Sequence, residues 1–262
     1  MSTGLELLAL LLGFTISLLS GFLGIGGGIV MAPALLYLPP LLGVGQFDMR
    51  QVTGLTITHA LFACLSGAIR HDKYRCVSRP LIGSMGGCIG VSALAGSALS
   101  GSIANETLMM VFAGLAVTAA VLMCVPGKDG DDVADASACS FSIPFAVIIA
   151  VVVGLLGGMV GQGGSFMLIP LMLHVLKLPL PVVIGSNLAL VFISSLAGFA
   201  GKVATGQIPF VPAVFLVAGA FPGAQVGSVF SHRTNPRWMR TALAAVVGAA
   251  AFGIGMDVLA NR

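Results

Sequence analysis

The chain has 262 residues, of which 57% are hydrophobic and only 8% are charged, whereas an ordinary soluble domain carries about 25% charged residues. The charges are spaced so that most of the sequence falls into long charge-free stretches, each close to or above the roughly 20 residues that a helix needs to cross a bilayer. This pattern excludes a soluble fold and predicts an all-α membrane protein. The net charge of +3 is too small to indicate nucleic-acid binding.

The first charge-free stretch runs from Leu7 to Phe47 and has a glycine cluster inside it. A continuous helix of that length would measure about 60 Å, twice the thickness of the hydrocarbon core. The glycines are therefore predicted to interrupt the helix and to turn the chain back, as in a re-entrant segment. Three plain transmembrane helices are predicted to follow, at about Gln51–Ile69, Pro80–Ser100 and Glu106–Val125.

The second half of the chain repeats this order. An acidic linker, Pro126–Ser142, leads into a second charge-free stretch from Ala136 to Leu176, which also contains a glycine cluster. Plain helices are then predicted at about Pro181–Ala200, Pro209–Phe230 and Pro236–Leu259. We therefore expect a first membrane repeat at 1–125, a linker at 126–142 and a second membrane repeat at 143–262.

The two glycine clusters are copies of one motif. GFLGIGGGIVMAP, from Gly21 to Pro33, aligns with GMVGQGGSFMLIP, from Gly158 to Pro170, at an offset of 137 residues throughout. On the next helix the offset is 131, which pairs Thr56 with Asn187. Unwound backbone at membrane depth must be buried in protein or line a cavity. Two such interruptions at equivalent positions are typical of a transporter's binding site.

Positive charges predict how the repeats lie in the membrane, because cytoplasmic loops are enriched in Lys and Arg. In the first repeat the positive cluster follows the first plain helix, whereas in the second repeat it follows the second plain helix. If each broken segment folds back on itself, every repeat makes an odd number of crossings, and nine positive charges face one side and three the other. We therefore predict two inverted repeats, with both termini outside and the acidic linker in the cytoplasm.

The paired glycine motifs, each followed by a proline, a small-residue turn and a short Gly-Thr or Gly-Ser type of helix start, resemble the TauE/SafE family of sulfite exporter-like membrane proteins. The resemblance runs from about Leu5 to Leu259. It implies a secondary transporter of the bacterial inner membrane that exports sulfite, sulfonates or related small anions without a cofactor. The chain departs from the family pattern at Gln162, Ser165 and Asn187.

A small anion inside the membrane needs donors that replace its hydration shell, and helix N-termini offer free N–H groups and about half a positive charge. The two motifs are predicted to open half-helices that end near Leu38 and Leu176. Polar side chains in the breaks and on the next helix complete the predicted substrate-binding set. Its members are Gly26, Gly27, Gly28, Gln162, Gly163, Gly164, Ser165, Thr56, Ser186 and Asn187. The alternative is that the glycines serve only close helix packing.

His59 is the one titratable group well inside a predicted span. An ionisable residue there is a functional candidate, and histidine titrates near neutral pH, so His59 is the candidate for coupling transport to protons. The alternative is a neutral histidine that hydrogen-bonds two helices. Arg70, His71 and Lys202 lie at span ends and are interpreted as snorkelling anchors.

Two modes of transport stay open: a carrier that works by alternating access, and a channel-like anion permease that uses the same half-helix dipoles. An enzyme is weakly supported, because the sequence has no carboxylate pair or serine–histidine arrangement at a plausible spacing and no phosphate-binding loop. The five cysteines are scattered without a C-x-x-C pair, so no metal site or disulfide framework is expected. The sequence excludes neither a monomer nor a homodimer.

Overall fold

The computed structural model describes residues 3–73, 77–124 and 141–234, together with 238–239, 241–242, 245–246 and 248–249. Nearly all of the linker at 126–142 and most of the last predicted helix, Pro236–Leu259, lie outside the described residues.

Within the described residues the regular structure consists of helices only, as the composition predicts. Six of these helices are long and apolar enough to cross a membrane, and α2, α6 and α7 are shorter apolar helices. The helices are α1 (Thr3–Leu23), α2 (Gly28–Leu41), α3 (Met49–Lys73), α4 (Arg79–Leu99, extended by a 3-10 turn at Ser100–Ser102), α5 (Asn105–Cys124), α6 (Ile143–Met159), α7 (Ser165–His174), α8 (Leu180–Ala204) and α9 (Phe210–Arg233).

Both predicted breaks are present, between α1 and α2 and between α6 and α7. In each break three glycines adopt positive φ, a left-handed conformation that a residue with a Cβ adopts only with strain. A right-handed helix cannot continue through such a turn, so each segment splits in two. The φ angles agree between the copies: 72° and 74° at Gly24 and Gly161, 64° and 60° at Gly26 and Gly163, and 73° and 79° at Gly27 and Gly164.

The first broken segment turns back on itself. A Cβ added to Gly4, near the start of α1, would lie 3.0 Å from Cγ1 of Val44, which follows α2. The two ends of the segment therefore meet, and α3 begins on the side from which α1 started. The half-helices α2 and α7 end at Leu41 and His174, close to their predicted ends.

Glycines allow the outer helices to pack backbone against backbone. A Cβ on Gly13 of α1 would overlap the backbone of Leu216 in α9, and a Cβ on Gly223 of α9 would overlap the backbone of Phe14 in α1. In the repeat, α6 is equivalent to α1 and α4 is equivalent to α9, and α6 and α4 pack against each other in the same way. Small residues are the usual means by which membrane helices approach closely.

The central helices α3 and α8 are equivalent in the repeat and run antiparallel. Thr53, near the start of α3, is hydrogen-bonded to Lys202, near the end of α8. At the opposite end of the pair, a Cβ on Gly67 of α3 would lie 3.1 Å from a methyl group of Leu188 in α8. Opposite directions of equivalent helices are what inverted repeats require, and the orientation of the repeats in the membrane stays a prediction.

The packing of α1 on α9 predicts unequal effects of alanine at two helical glycines. Gly223→Ala places a Cβ on the backbone of Phe14, which cannot move aside as a side chain would, and should lower the free energy of unfolding by about 1–3 kcal/mol. Gly114→Ala on α5 meets nothing within 4 Å and should leave stability unchanged or raise it by up to about 1 kcal/mol. Thermal unfolding of both variants in one detergent measures the difference, and equal melting temperatures would contradict the packing.

Candidate functional site

The two helix breaks meet each other in the interior. A Cβ added to Gly26 would lie 2.9 Å from Cβ and 3.0 Å from Oγ of Ser165. A Cβ added to Gly28 would lie 2.8 Å from Cγ of Gln162. Glycine at these positions of the first motif therefore makes room for the two side chains that distinguish the second motif.

Both half-helices begin at this junction without a side-chain cap. Gly27 and Gly164 are the N-cap residues, and neither makes a side-chain cap hydrogen bond. The first helical bonds run from Val30 and Met31 to the carbonyl of Gly27, and the equivalent bonds in α7 end on Gly164. The preceding N–H groups of a helix have no acceptor within the helix. In α7 the N–H of Ser165 donates to the carbonyl of Gln162 at 3.3 Å. The junction receives the remaining N–H groups of the two first turns and the positive ends of two helix dipoles.

Each break is braced by the central helix of the other repeat. A Cβ on Gly24 would meet Ile184 of α8, and a Cβ on Gly161 would meet the backbone of Thr53 in α3. Thr53 and Ile184 are themselves related by the offset of 131 residues. Asn187 adds a hydrogen bond between the repeats, in which its Nδ2 donates to the carbonyl oxygen of Gly24 at 2.5 Å. Each repeat thus holds the break of the other repeat in place, and the two sets of contacts are equivalent.

The junction contains buried polar atoms that have no hydrogen-bond partner among the described residues. Buried polar groups are nearly always hydrogen-bonded, so a group of exceptions in one place needs an explanation. All the side chains concerned are fully buried, and they bring both donors and acceptors. The atoms are Nε2 and Oε1 of Gln162, Oγ of Ser165, Oδ1 of Asn187, Nδ1 of His59 and Oγ of Ser195.

His59 links the first break to α1. One ring nitrogen, Nε2, lies 2.6 Å from Oγ of Ser17, and Cε1 lies 2.7 Å from the position that a Cβ on Gly27 would take. The interhelical hydrogen bond is the one expected of a structural histidine. The contact with Gly27 also places the other ring nitrogen, Nδ1, beside the break.

Thr56 and Ser186 are buried, but their hydrogen bonds are used elsewhere. Thr56 donates to the carbonyl oxygen of Thr53 in its own helix at 3.1 Å. Ser186 accepts a hydrogen bond at 2.9 Å from the N–H of Ser78, the residue that precedes α4. These two residues are weaker candidates for the site than Gln162, Ser165 and Asn187, whose polar atoms remain available.

Two side chains at the junction were not among the predicted site residues. A Cβ on Gly163 would lie 2.7 Å from Oγ of Ser195, and a Cβ on the equivalent Gly26 would lie 3.2 Å from Sγ of Cys64. Cys64 and Ser195 are again related by the offset of 131 residues. That alignment was the signal by which the sequence could have revealed them.

Lys202 is not a snorkelling anchor, and this prediction is wrong. Its side chain is fully buried, and Nζ donates to Oγ1 of Thr53 at 2.8 Å, to Oγ of Ser100 at 2.6 Å and to Oε1 of Gln207 at 2.8 Å. The reason is that α8 continues to Ala204, beyond its predicted end, alongside α3 and α4. Those helices supply acceptors that hold the ammonium group inside.

Comparison with known proteins agrees with this architecture. The family profile described as "Sulfite exporter TauE/SafE" matches residues 9–254. The chain belongs to the TauE/SafE family. No solved structure matches it significantly.

Relatives of the chain carry names of membrane transporters. "Probable membrane transporter protein YunE" of Bacillus subtilis is 24% identical over 243 residues, which cover 86% of this chain and 88% of that protein. "Probable membrane transporter protein YdhB" of the same species is 24% identical over 233 residues, with 86% and 90% covered. "Probable membrane transporter protein MamO" of Magnetospirillum gryphiswaldense is 27% identical over 267 residues, 88% of this chain and 40% of that protein. This TauE/SafE protein is a multi-pass membrane transporter of a small molecule.

The bracing of the second break predicts a difference between two glycines that share the same strained backbone. Gly161 and Gly206 have φ of 74° and 67°, so alanine costs roughly 1–2 kcal/mol of left-handed strain at either. At Gly161 the Cβ also collides with the backbone of Thr53, whereas at Gly206 it meets nothing within 4 Å. Gly161→Ala should therefore destabilise the protein by about 1–3 kcal/mol more than Gly206→Ala. Parallel thermal unfolding tests this, and equal losses would show that Thr53 does not brace the break.

Proposed function

We propose that this TauE/SafE protein is a secondary transporter that exports small sulfur-containing anions, such as sulfite or organic sulfonates, across the bacterial inner membrane. The observation that carries the proposal is the convergence of two uncapped helix N-termini on the unpartnered side chains of Gln162 and Ser165. The sulfur-containing class is supported by the family description, "Sulfite exporter TauE/SafE". Another small organic anion would satisfy the same donors.

The chemistry of the junction fits an oxyanion. A sulfite or sulfonate group presents several oxygens that each accept hydrogen bonds, and helix N-termini bind such groups through N–H donors and the helix dipole. The hydroxyl of Ser165 and Nε2 of Gln162 add two side-chain donors beside the glycines. Gly26, Gly27 and Gly28, with Gly163 and Gly164, would let the oxygens approach the backbone closely.

We further propose that transport proceeds by alternating access around the two breaks. The antiparallel course of α3 and α8 and the exchanged contacts at Gly24 and Gly161 support two inverted repeats, at 1–125 and 143–262. Two halves related in this way can rock about a site that lies between them. His59, which contacts Gly27, is the candidate for proton coupling in such a carrier.

Binding measurements on the purified protein test the site. Sulfite and sulfoacetate should bind more tightly than acetate, and Gln162→Leu should weaken sulfite binding on the order of tenfold, because a hydrogen bond to a charged group contributes about 1.5–3 kcal/mol. Gln46→Leu, a change of the same type at an exposed position after α2, should bind normally. Sulfur anions that bind no better than acetate, or normal binding by Gln162→Leu, would contradict the proposal.

Proteoliposomes separate a carrier from a channel-like permease. In a carrier, unlabelled sulfite inside the vesicles should accelerate the entry of labelled sulfite and drive its transient accumulation by counterflow. A channel cannot concentrate substrate against its own gradient. Flux without counterflow would agree with the proposed anion site but would exclude alternating access.

Reporter fusions test the inverted topology. Alkaline phosphatase, which is active only outside the cytoplasm, should be active when fused after Arg262 and inactive when inserted into the linker at 126–142. The expectation follows from the nine positive charges that the inverted arrangement places in the cytoplasm. If alkaline phosphatase is inactive after Arg262 and a reporter that works only in the cytoplasm is active there, the predicted inverted topology and the fold-back of the breaks are contradicted.

A further inference from the structure

Lys202 holds a buried position that the proposed anion site does not explain. Its side chain is fully buried near the end of α8. The amino group is surrounded by neutral oxygens, which belong to Thr53, Ser100, Gln207 and, at 3.4 Å, the carbonyl of Met159. A buried charge ordinarily needs a counter-charge, because removal from water is costly.

The directions of the neighbouring hydrogen bonds show which atoms can accept from Nζ of Lys202. The hydroxyl of Thr53 donates its hydrogen to the carbonyl of Arg50 at 2.8 Å, and that of Ser100 donates to the carbonyl of Ser97 at 2.6 Å. Both hydroxyls therefore present only lone pairs to Nζ. Nε2 of Gln207 donates to Oγ1 of Thr205 at 2.6 Å, which leaves Oε1 as the acceptor.

Three close acceptors match the three donors of an ammonium group, whereas a neutral amine has two donors and would turn its lone pair toward the third acceptor. The contacts therefore fit Lys202 as an ammonium group whose N–H groups are all occupied by protein oxygens. It acts on a ligand through its field rather than through a direct hydrogen bond.

No carboxylate among the described side chains compensates this cation. Those carboxylates belong to Glu6, Asp48 and Glu106, and none pairs with Lys202. The charged group that acts on Lys202 is Arg50, which is itself a cation and donates to the carbonyl of Ile103 at 2.9 Å. The described surroundings of Lys202 thus carry an excess of positive charge.

The cation lies directly beside the second helix break. Met159, whose carbonyl faces Nζ, is the last residue of α6. Thr53, which accepts a hydrogen bond from Nζ, is also the residue whose backbone braces Gly161, next to Gln162. At this proximity, in a region of low dielectric, a unit charge changes the energy of an ion in the break appreciably.

We infer that Lys202 makes the junction selective for doubly charged oxyanions. Each half-helix N-terminus contributes about half a positive charge, and the ammonium group of Lys202 adds one full charge, so the junction carries about two positive charges. A small dianion balances this field, whereas a monoanion leaves it half compensated. The inference rests on the proposed function, and it assigns to Lys202 a specificity-determining role without contact with the substrate.

The test compares, at about pH 6, sulfoacetate, which is a dianion at that pH, with methanesulfonate, which is a monoanion. Wild-type protein should bind sulfoacetate more tightly. Lys202→Met should weaken sulfoacetate binding on the order of tenfold more than methanesulfonate binding, because the lost Coulomb energy scales with the charge of the ligand. Lys202→Arg should retain the preference, and Lys177→Met, which removes the charge of an exposed lysine, should change neither affinity.

The outcomes separate the inference from the function on which it rests. Wild-type protein that binds neither anion would refute the proposed anion site itself. Equal weakening of both anions by Lys202→Met indicates a structural role and overturns the inference, as does no weakening of either. If Lys202→Met does not fold, the wild-type affinities still decide, because a monoanion bound as tightly as the dianion contradicts the charge balance.

Discussion

The left-handed backbone at three glycines in each repeat is the constraint from which the rest of the architecture follows. A residue with a Cβ resists this conformation, and a helix that enters it must end. Each end leaves N–H groups without intrahelical partners, and no water is present in the hydrocarbon core to satisfy them. Such a turn is tolerable only if protein surrounds it. That requirement explains why each break of this transporter is enclosed by the central helix of the opposite repeat.

The enclosure is reciprocal in detail. Between the repeats, Ile184 meets Gly24 as Thr53 meets Gly161, and within each repeat Cys64 meets Gly26 as Ser195 meets Gly163. Glycine at these positions leaves room for the side chains of Ile184, Cys64 and Ser195 and, at Gly161, for the backbone of Thr53. Each repeat therefore supplies part of the enclosure of the other repeat's break.

Much of this arrangement was predictable from the sequence, because it follows from spacing. The length of the charge-free stretches predicted the helices that the described residues form, and the glycine clusters predicted both breaks. Gln162 and Ser165 were named as candidates because they lie inside the second cluster. The alignment of the copies did not reveal which helix faces which break, because that depends on how two distant segments pack. Lys202 shows the same limit. Its burial follows from acceptors on Thr53 and Ser100, and nothing in the local sequence around α8 indicates that these oxygens lie within reach.

The backbone of the junction is symmetric, but its side chains are not. The positions equivalent to Gln162, Ser165 and Lys202 in the first repeat are Ile25, Gly28 and His71, and the position equivalent to His59 in the second repeat is Leu190. Alternating access of the proposed kind needs equivalent backbones, since the two halves exchange roles between the inward-facing and outward-facing states. Recognition of the anion needs only one set of polar side chains. Different side chains on an equivalent pair of glycine turns would therefore change the anion that is recognised while leaving the proposed transport cycle intact.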